Sequence, residues 1–600
     1  MRLSKKVVAA LSSQDVQQTI WLPRFVHLVT HAKTPAPDDL LARMARRGAT
    51  LATMSLRLID HTRPRPRAIA PLIYRHPVVR EVSRPEKATN VFNFGLTSGG
   101  WGMARLVVVS NRVSIPGDGI KRAGGLEVVL RPALQHKGGV WFGWSGKVAP
   151  ADELEASSVR HKNVEYAVTD LSKEDFEEYY SGFANRVLWP ILHYRLDLAG
   201  FAPRDLSGYF RVNDRFATKL EKIIENDDLI WVHDYHLIPI ADALRRRGHC
   251  NRIGFFLHVP FPPPEVLTWL PNHEHLIPLL MQYDVVGFQT EGDAQNFIRY
   301  MISQYNHTRD MRVFQAAGRR VTLSVKGQQT LIGNFPVGIE PRAFARLARR
   351  NVRSPLVKNL VASLGGRDLV IGVDRLDYSK GLIQRLEAFD IFLAHHCEWL
   401  GKVTYLQITP TNRSEIPEYS ELEEALGSAA GRINGKYGEV SWTPIRYVNR
   451  AYNRSVLAGL YRTARVGLVT PLRDGMNLVA KEYVAAQDPD DPGVLILSRF
   501  AGAAINLRHA LLVNPCDAES VAGALARALA MPLKERRARH EALFAAVCEH
   551  DVDRWQREFL AALRGYNRRD YNPICNTLAG HAATIPTAAH IQAEMPRFAN

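Results

Sequence analysis

One segment of the sequence places two cations where a helix is predicted to begin. Arg375 and Lys380 lie in Asp374-Arg-Leu-Asp-Tyr-Ser-Lys-Gly381, which directly follows an apolar run. Two cations at a helix start are electrostatically unfavourable unless an anion lies beside them. A bidentate guanidinium and a point-charge ammonium suit a phosphate or a diphosphate. The segment therefore predicts an anion clamp, and a solvated surface pair is the alternative.

A second segment, which starts at Asp474, also follows an apolar run and enters a predicted helix near Asn477. Asn477 is predicted to cap this helix, which would point the amides of Leu478 and Val479 at a ligand. The carboxylates of Asp474, near the turn, and Glu482, two turns into the helix, suit sugar hydroxyls. A solvated loop is the alternative for Asp474, and a structural helix pair is the alternative for Glu482.

The first half of the chain has two polar clusters that follow successive apolar runs. Asp234 and His258 come directly after these runs, so we expect them to meet at adjacent strand ends. Two such clusters favour a site, whereas a single histidine would more simply be structural. The sequence contains no HExxH motif or cluster of metal ligands, so we predict no catalytic metal.

Five more residues in the first third of the chain are candidates for ligand contacts. Arg112 ends the strand, and Gly124 and Gly125 precede the next helical pattern. A glycine pair lets the backbone approach a diphosphate closely, although an ordinary turn would use the same pair. Tyr180 could donate from its hydroxyl. Trp189 could offer a flat face to a sugar, and core packing is the alternative for both aromatic residues.

Short apolar runs rich in β-branched residues alternate with helical patterns, and this rhythm predicts the elements that position these residues. The runs are Arg105–Ser110, Leu229–His233, Arg252–His258, Asp284–Gln289, Asp368–Val373, Lys402–Ile408, Val466–Thr470 and Gly493–Ser498. The rhythm restarts near residue 340, which predicts two doubly wound α/β domains with an active site in the cleft between them. We predict an extension over 1–102, domains over 103–340 and 341–566, and a tail over 567–600. The terminal helices are predicted to pack back on the first domain.

Composition excludes several classes of protein. With 600 residues, 46% hydrophobic and 23% charged, the chain is neither collagen-like nor wholly disordered. No apolar stretch reaches the roughly 18 residues of a membrane span. The net charge of +17 is concentrated in residues 1–102, which hold 16 Lys and Arg against 6 Asp and Glu. We therefore expect no nucleic-acid partner, no membrane and a cytoplasmic location. The extension is interpreted as incidental, with a transit peptide or an arm for acidic surfaces as alternatives.

The ordered set of motifs resembles the trehalose-6-phosphate synthases, which are retaining glycosyltransferases of the GT-B architecture. The resemblance runs from Met103, the expected start of the folded enzyme, to about Gly565. Its motifs are Leu106–Arg112, Ala123–Gly125, Trp141–Gly146, Val187–Pro190, His193–Arg195, His233–His236, Gly254–His258, Arg375–Gly381, Gly431–Tyr437 and Asp474–Tyr483. The resemblance implies two Rossmann-like domains, a nucleotide-activated glucose as donor, most commonly UDP-glucose, and glucose 6-phosphate as acceptor. It also implies no cofactor, and we expect a homo-oligomer, either a dimer or a tetramer.

The resemblance also assigns residues to roles, position by position. The implied donor contacts are Gly124, Gly125, Arg375, Lys380, Tyr452 (often Phe in the family), Leu478, Val479, Ala480, Lys481 and Glu482. The implied acceptor contacts are Arg112, Tyr180, Trp189, Asp234 and Arg413. The implied catalytic group is Asp234, His258, Arg375, Lys380 and Asp474, with His258 and Asp474 on the transferred sugar.

The family's retaining chemistry is attributed to front-face attack, in which the leaving phosphate oxygen accepts the acceptor's proton. Such an enzyme works mainly by positioning two sugars and stabilising the charge of the diphosphate. Three alternatives stay open: another nucleotide (GDP or ADP), another acceptor such as a glycerol phosphate or a pseudo-sugar, and a sugar-phosphate sensor without activity.

Overall fold

The structure, a computed structural model, describes residues 104–113, 115–116, 129–131, 134, 138–150, 156–305, 311–315, 320–411 and 417–565. The extension, the tail, Gly124, Gly125 and Arg413 lie outside these ranges, so the expectations made for them stay predictions. The predicted domain boundaries also stay predictions.

Ten strands form the first sheet, in the order β3-β4-β2-β1-β5-β6-β7-β10-β9-β8. The strands are β1 (Leu106–Arg112), β2 (Gly139–Val148), β3 (Ser157–His161), β4 (Val164–Leu171), β5 (Leu229–His233), β6 (Arg252–Phe256), β7 (Val285–Phe288), β8 (Met311–Gln315), β9 (Val321–Val325) and β10 (Gln328–Asn334). Seven neighbouring strands in the middle of this sheet are parallel, namely β4, β2, β1, β5, β6, β7 and β10. The strands β3, β9 and β8 are antiparallel additions at the edges. The doubly wound prediction is confirmed for the centre of the sheet, and it missed these edge strands.

The second sheet is entirely parallel, in the order β13-β12-β11-β14-β15-β16. Its strands are β11 (Asp368–Val373), β12 (Val403–Ile408), β13 (Ile445–Val448), β14 (Val466–Val469), β15 (Val494–Ser498) and β16 (Leu511–Val513). This is the strand order of a dinucleotide-binding fold, and the parallel part of the first sheet repeats it. The strand order therefore reverses between β1 and β5 in one sheet and between β11 and β14 in the other.

The helices of the described residues lie on both faces of the two sheets. They are α1 (Lys173–Asp175), α2 (Trp189–Leu192), α3 (Pro203–Leu220), α4 (Ile240–Arg246), α5 (Pro264–Leu267), α6 (His273–Leu276), α7 (Glu291–Tyr305), α8 (Pro341–Asn351), α9 (Pro355–Leu364), α10 (Leu382–His395), α11 (Pro417–Tyr437), α12 (Arg454–Thr463), α13 (Leu478–Ala486), α14 (Ala518–Leu529), α15 (Leu533–Glu549) and α16 (Val552–Gly565). A π-helix (Phe176–Leu188) joins α1 to α2. Each of these helices is too short or too polar to cross a membrane.

Two crossings connect the first lobe (104–334 with α16) to the second lobe (341–549). The outgoing crossing at Gly338 lies against the returning one at Asp551, where a Cβ on Gly338 would lie 2.2 Å from the Asp551 carbonyl carbon. The two crossings are also joined by a hydrogen bond from the Val552 amide to the Ile339 carbonyl (3.0 Å). After the second crossing, α16 packs under the first sheet, with Phe559 stacked on Trp231 at 4.8 Å between ring centres. The last helix therefore belongs to the core of the first lobe.

Candidate active site

The candidate site lies where the carboxyl ends of the parallel strands of both sheets come together. Ligands of such sheets bind in the crevice at the point where the strand order reverses. Arg112 ends β1 and Asp234 follows β5, while Arg375 lies shortly after β11 and Asp474 after β14. The four residues thus follow the four strands that flank the two reversal points.

The second lobe contributes an ion pair to the cleft. The Lys380 ammonium lies 2.8 Å from Oδ2 of Asp474, and both side chains are largely buried. Burial alone would raise the pKa of Asp474, but the ammonium of Lys380 and the amide of Asn477 hold it below its usual value. The sequence predicted an anion beside Lys380, and in this structure the carboxylate of Asp474 takes that position.

A buried arginine fixes the loop that carries this ion pair. Arg385 on α10 is fully buried, pairs with Asp374 at 2.6 Å and donates to the Lys380 carbonyl at 3.2 Å. It also donates to the hydroxyl of Thr470 at the end of β14 (3.0 Å). Because one guanidinium holds the chain after both β11 and β14, the two strand ends keep a fixed spacing at the site.

Arg375 points towards the first lobe. Its Cζ lies 5.6 Å from the ring centre of Trp189, and its nearest carboxylate, Asp377, is 3.8 Å away. About a third of the Arg375 side chain is exposed (35%). Arg375 is thus an accessible cation over an aromatic face of the other lobe.

The start of α13 matches its predicted form. Asn477 caps the helix, because its Oδ1 accepts from the Ala480 amide at 3.1 Å, and its backbone is left-handed with φ +65°. Nδ2 of Asn477 also donates to Asp474 (3.0 Å), so the cap ties the helix start to the carboxylate. Leu478 and Val479 are the first two residues of α13, so their amides have no acceptor within the helix. The predicted cap is confirmed.

Three further residues of the predicted donor group lie around α13. Glu482 is the fifth residue of α13, one turn into the helix rather than the predicted two, and it accepts from Nε of Arg454 at 3.1 Å. Burial raises the pKa of Glu482, and Arg454 opposes this shift. Tyr452 is half-buried just before α12, while Ala480 is fully buried. The structural pair considered for Glu482 is therefore formed with Arg454.

Lys481 differs from its neighbours because its side chain points away from the helix start. It is 1% exposed, and its ammonium donates to the Val337 carbonyl on the outgoing crossing at 2.6 Å. Burial lowers the pKa of Lys481 to about 7. The side chain thus links α13 to the crossing between the lobes.

On the first lobe, an aromatic stack brings Arg112 and Tyr180 together. Cζ of Arg112 lies 5.4 Å from the ring centre of Trp144, and the Tyr180 ring lies 5.3 Å from the same tryptophan. The Tyr180 ring also lies nearly parallel to that of His236, at 6.1 Å. Sequence reasoning matched the Trp144 motif but gave this residue no role, because an aromatic residue inside a strand is normally core.

Asp234 and His258 meet as predicted. The His258 amide donates to Oδ1 of Asp234 at 3.2 Å across the parallel pair β5 and β6. Asp234 has φ +77°, a conformation that is uncommon for a residue other than glycine and recurs at functional sites. Burial lowers the pKa of His258 to about 3, so its imidazole is neutral at neutral pH.

The two lobes touch along a seam that the sequence did not reveal. A Cβ on Gly475 would lie 1.9 Å from the His258 carbonyl oxygen, so only glycine fits at this contact. Cζ of Arg473 lies 4.5 Å from the ring centre of Tyr194, and Cζ of Arg195 lies 5.4 Å from that of Tyr378. The seam brings the Asp474 turn onto the strand end that carries His258.

Two reversal points face each other in this cleft. A cationic loop beside a capped helix lies on one side, and aromatic and carboxylate groups lie on the other. Together they define a nucleotide-sugar-dependent transferase of the two-lobed GT-B class. A sequence profile described as "Glycosyltransferase family 20" matches residues 110–565. The chain belongs to glycosyltransferase family 20.

Relatives and solved structures cover similar shares of the chain. A trehalose-6-phosphate synthase of Sinorhizobium fredii is 53% identical over 470 residues, which are 78% of this chain and 100% of that protein. A UDP-forming α,α-trehalose-phosphate synthase of Burkholderia xenovorans, solved with glucose 6-phosphate, is 46% identical with a TM-score of 0.74 and covers 77% of this chain and 100% of its own. A trehalose-6-phosphate protein from E. coli, bound with UDP-2-fluoro glucose, is 45% identical with a TM-score of 0.72 and covers 77% and 99%.

Proposed function

We propose that this chain transfers glucose from UDP-glucose to glucose 6-phosphate with retention of configuration, giving α,α-trehalose 6-phosphate and UDP. The observation that carries the proposal is the accessible Arg375 across the cleft from Trp189, in a chain that belongs to family 20. Similarity to structures solved with glucose 6-phosphate and with UDP-2-fluoro glucose supports the two substrates.

On the donor side, Arg375 and Lys380 hold the diphosphate. Lys380 has three N–H donors and uses one of them on Asp474, and among the described residues the other two have no acceptor and can serve a phosphate. The amides of Leu478 and Val479 and the positive end of α13 add to this attraction. Glu482 and Tyr452 hold the nucleoside, together with the glycines at 124 and 125. The lobe thereby concentrates positive potential where the leaving group's charge develops.

On the acceptor side, Arg112 and Tyr180 bind the phosphate together with Arg413, and Trp189 packs against the sugar. The stack of Arg112 on Trp144 supports this role, because it fixes the direction of the guanidinium. Asp234 accepts from the hydroxyls of the acceptor sugar.

The reaction proceeds without a carboxylate nucleophile. Asp474 already accepts three hydrogen bonds, from Lys380, Asn477 and the Gly475 amide, so its oxygens are poorly nucleophilic. Asp474 and His258 orient the transferred glucose instead. The leaving phosphate oxygen takes the acceptor's proton, and Arg375 and Lys380 stabilise its charge.

A product assay on the purified full-length chain tests the proposal. UDP-glucose, GDP-glucose and ADP-glucose are each offered with glucose 6-phosphate, and products are identified by mass spectrometry after phosphatase and an α,α-specific trehalase. We expect trehalose 6-phosphate, formed fastest from UDP-glucose. Transfer only to glycerol 3-phosphate would indicate a sister transferase, and binding of glucose 6-phosphate without any transfer would indicate a sensor.

We further propose that the reaction needs no metal, because two side-chain cations serve the diphosphate. Dialysis against EDTA should leave the rate unchanged, and a loss restored by Mg²⁺ would contradict this. The chain is also proposed to form a dimer or a tetramer and to act in the cytoplasm. Light scattering on the eluting protein measures the mass of the assembly, and cell fractionation tests the location.

A further inference from the structure

Two imidazoles face each other at the ends of β5 and β6. Nδ1 of His233 lies 3.1 Å from Nε2 of His258. Burial lowers the pKa of His258 to about 3 and that of His233 well below its ordinary value. Both rings are therefore neutral at neutral pH and carry one proton each. One of the two facing nitrogens must donate and the other must accept.

The surroundings of His233 decide which nitrogen donates. Its other nitrogen, Nε2, is buried and has no hydrogen-bond partner among the residues that the structure describes. A buried N–H without an acceptor is rarer in proteins than an acceptor without a donor. The missing partner thus favours the tautomer in which Nε2 of His233 is unprotonated and Nδ1 carries the proton.

The neighbouring aromatic residues point to the same tautomer. The ring centre of Trp231 lies 4.6 Å from that of His233, and the ring centre of Trp555 lies 6.3 Å away. Both indole N–H groups are also buried without an acceptor among the described residues. A third unpaired donor in this cluster would add to the desolvation cost, whereas an unprotonated Nε2 on His233 would not.

We propose that His233 is a positioning residue: it donates from Nδ1 to Nε2 of His258, so that His258 presents Nδ1–H as a neutral donor to a hydroxyl oxygen of the transferred glucose. The His258 side chain is only partly buried, and its Nδ1 makes no hydrogen bond to any described residue, so it is available for this contact. The identity of the sugar rests on the proposed function, whereas the tautomer of the two histidines does not.

The last helix takes part in this arrangement. Trp555 on α16 lies 6.1 Å from His258 and 5.2 Å from Phe256, measured between ring centres. A helix that the chain reaches only after the second lobe therefore packs behind the histidine pair. Its Trp555 helps to hold both imidazole rings in place.

Two substitutions separate the hydrogen bond from packing. His233→Asn places an amide N–H near the position of Nδ1 and should stay within about threefold of the wild-type kcat/KM. His233→Leu keeps an apolar side chain but donates nothing. We expect its kcat/KM for UDP-glucose to fall about 10- to 100-fold, the range of one lost hydrogen bond in a buried site. The Kd for UDP, which lacks the sugar, should not change. Equal loss of UDP and UDP-glucose binding in His233→Leu would overturn the proposal.

A spectroscopic measurement tests the tautomer without depending on activity. In the full-length wild-type chain labelled with ¹⁵N-histidine, and with His258→Asn used for assignment, the Nδ1 signal of His258 should be that of a protonated nitrogen and the Nε2 signal that of an unprotonated one. The opposite pattern would refute the proposal even in an active enzyme. The correct pattern in a chain that forms no trehalose 6-phosphate would instead refute only the proposed function.

Discussion

The two lobes use the same strand order, but they hold their site residues by different forces. At the reversal point of the second lobe, Lys380 pairs with Asp474 and Arg385 with Asp374, so charge is matched by charge. In the first lobe, His258 is neutral because burial lowers its pKa, and it is held by another imidazole and by aromatic rings. The same backbone frame thus supports a charged half-site around Lys380 and Asp474 and a neutral half-site around His233 and His258, next to which lie the charged residues Arg112 and Asp234.

This difference fits the two ends of a nucleotide sugar. The diphosphate gains charge as it leaves, and cations held by other ions can meet that charge without reorganising. The sugar hydroxyls are neutral and need only directed donors and acceptors. Substitutions at the charged half-site, at the neutral half-site and at the contact between them should therefore differ in how much they change activity and how much they change stability.

The largest expected effect comes from the charged half-site. Arg375→Ala should lower kcat/KM by about 10²- to 10³-fold, which is typical for loss of one donor to a developing anion. Its free energy of unfolding should change little, because the side chain is a third exposed and its ion pair with Asp377 is long, at 3.8 Å. Steady-state kinetics and chemical denaturation measure both quantities. Near-normal turnover would refute the clamp.

Lys380→Ala sharpens the same comparison. It should lose similar activity but also about 3 kcal/mol of stability, because it leaves Asp474 largely buried without its cation. Arg527→Ala, which removes an exposed arginine from α14, is the matched control and should change neither quantity. If Arg375→Ala destabilised the chain as much as Lys380→Ala, the two cations would not differ as the structure indicates.

The next effect comes from the seam that joins the half-sites. Gly475→Ala would put a methyl group 1.9 Å from the His258 carbonyl oxygen, so the two strand ends must separate. A displacement of about 1 Å can lower a rate about 100-fold, and we expect a loss of this order in kcat. In Gly523→Ala, on α14, the added methyl meets no atom within 4 Å, and this control should keep full activity. Normal kcat in Gly475→Ala would show that the seam does not align the site.

Much of this arrangement could be predicted from sequence because the central strands are buried on both faces. Runs such as Leu229–His233 and Asp368–Val373 coincide with β5 and β11, and the site residues Asp234 and Arg375 follow these strands as expected. The meeting of Asp234 with His258 follows from two parallel neighbours. The Asn477 cap has a local signature in the sequence.

Other features have no local signature. The edge strand β3 is exposed along its whole length and lacks an apolar run. The pair of Lys380 with Asp474 joins residues 94 positions apart, and the contact of Gly475 with His258 joins two lobes. Trp144 was missed because a tryptophan that stacks under Arg112 has the same sequence pattern as a core tryptophan. Long-range packing, rather than propensity, determines these contacts.

A smaller effect is expected where the charged half-site meets α13. Asn477→Ala removes the cap and forces a left-handed φ of +65° on alanine, which should cost about 2 kcal/mol of stability. Asn477→Gly removes the same side chain but tolerates that φ, and it should cost less than about 1 kcal/mol. Both variants lose the hydrogen bond to Asp474. Their transfer rates should therefore fall equally although their stabilities differ, and thermal melting with kinetics checks this.

The smallest expected effect is a change in how stability depends on pH. Lys481 has a pKa of about 7 in the folded chain, against an ordinary value of 10.5, because it is buried. Between these values the unfolded chain holds a proton that the folded chain lacks, so the free energy of unfolding should rise with pH across this window. Below pH 7 both states are protonated, and the cost of burying the ammonium is greatest. Lys481→Met should remove this dependence, whereas Lys358→Met, at an exposed lysine of α9, should keep it. Urea denaturation at several pH values between 7 and 10 measures the slopes. Equal slopes in all three proteins would contradict the lowered pKa of Lys481, because its ammonium would then stay protonated in the folded chain across this pH range.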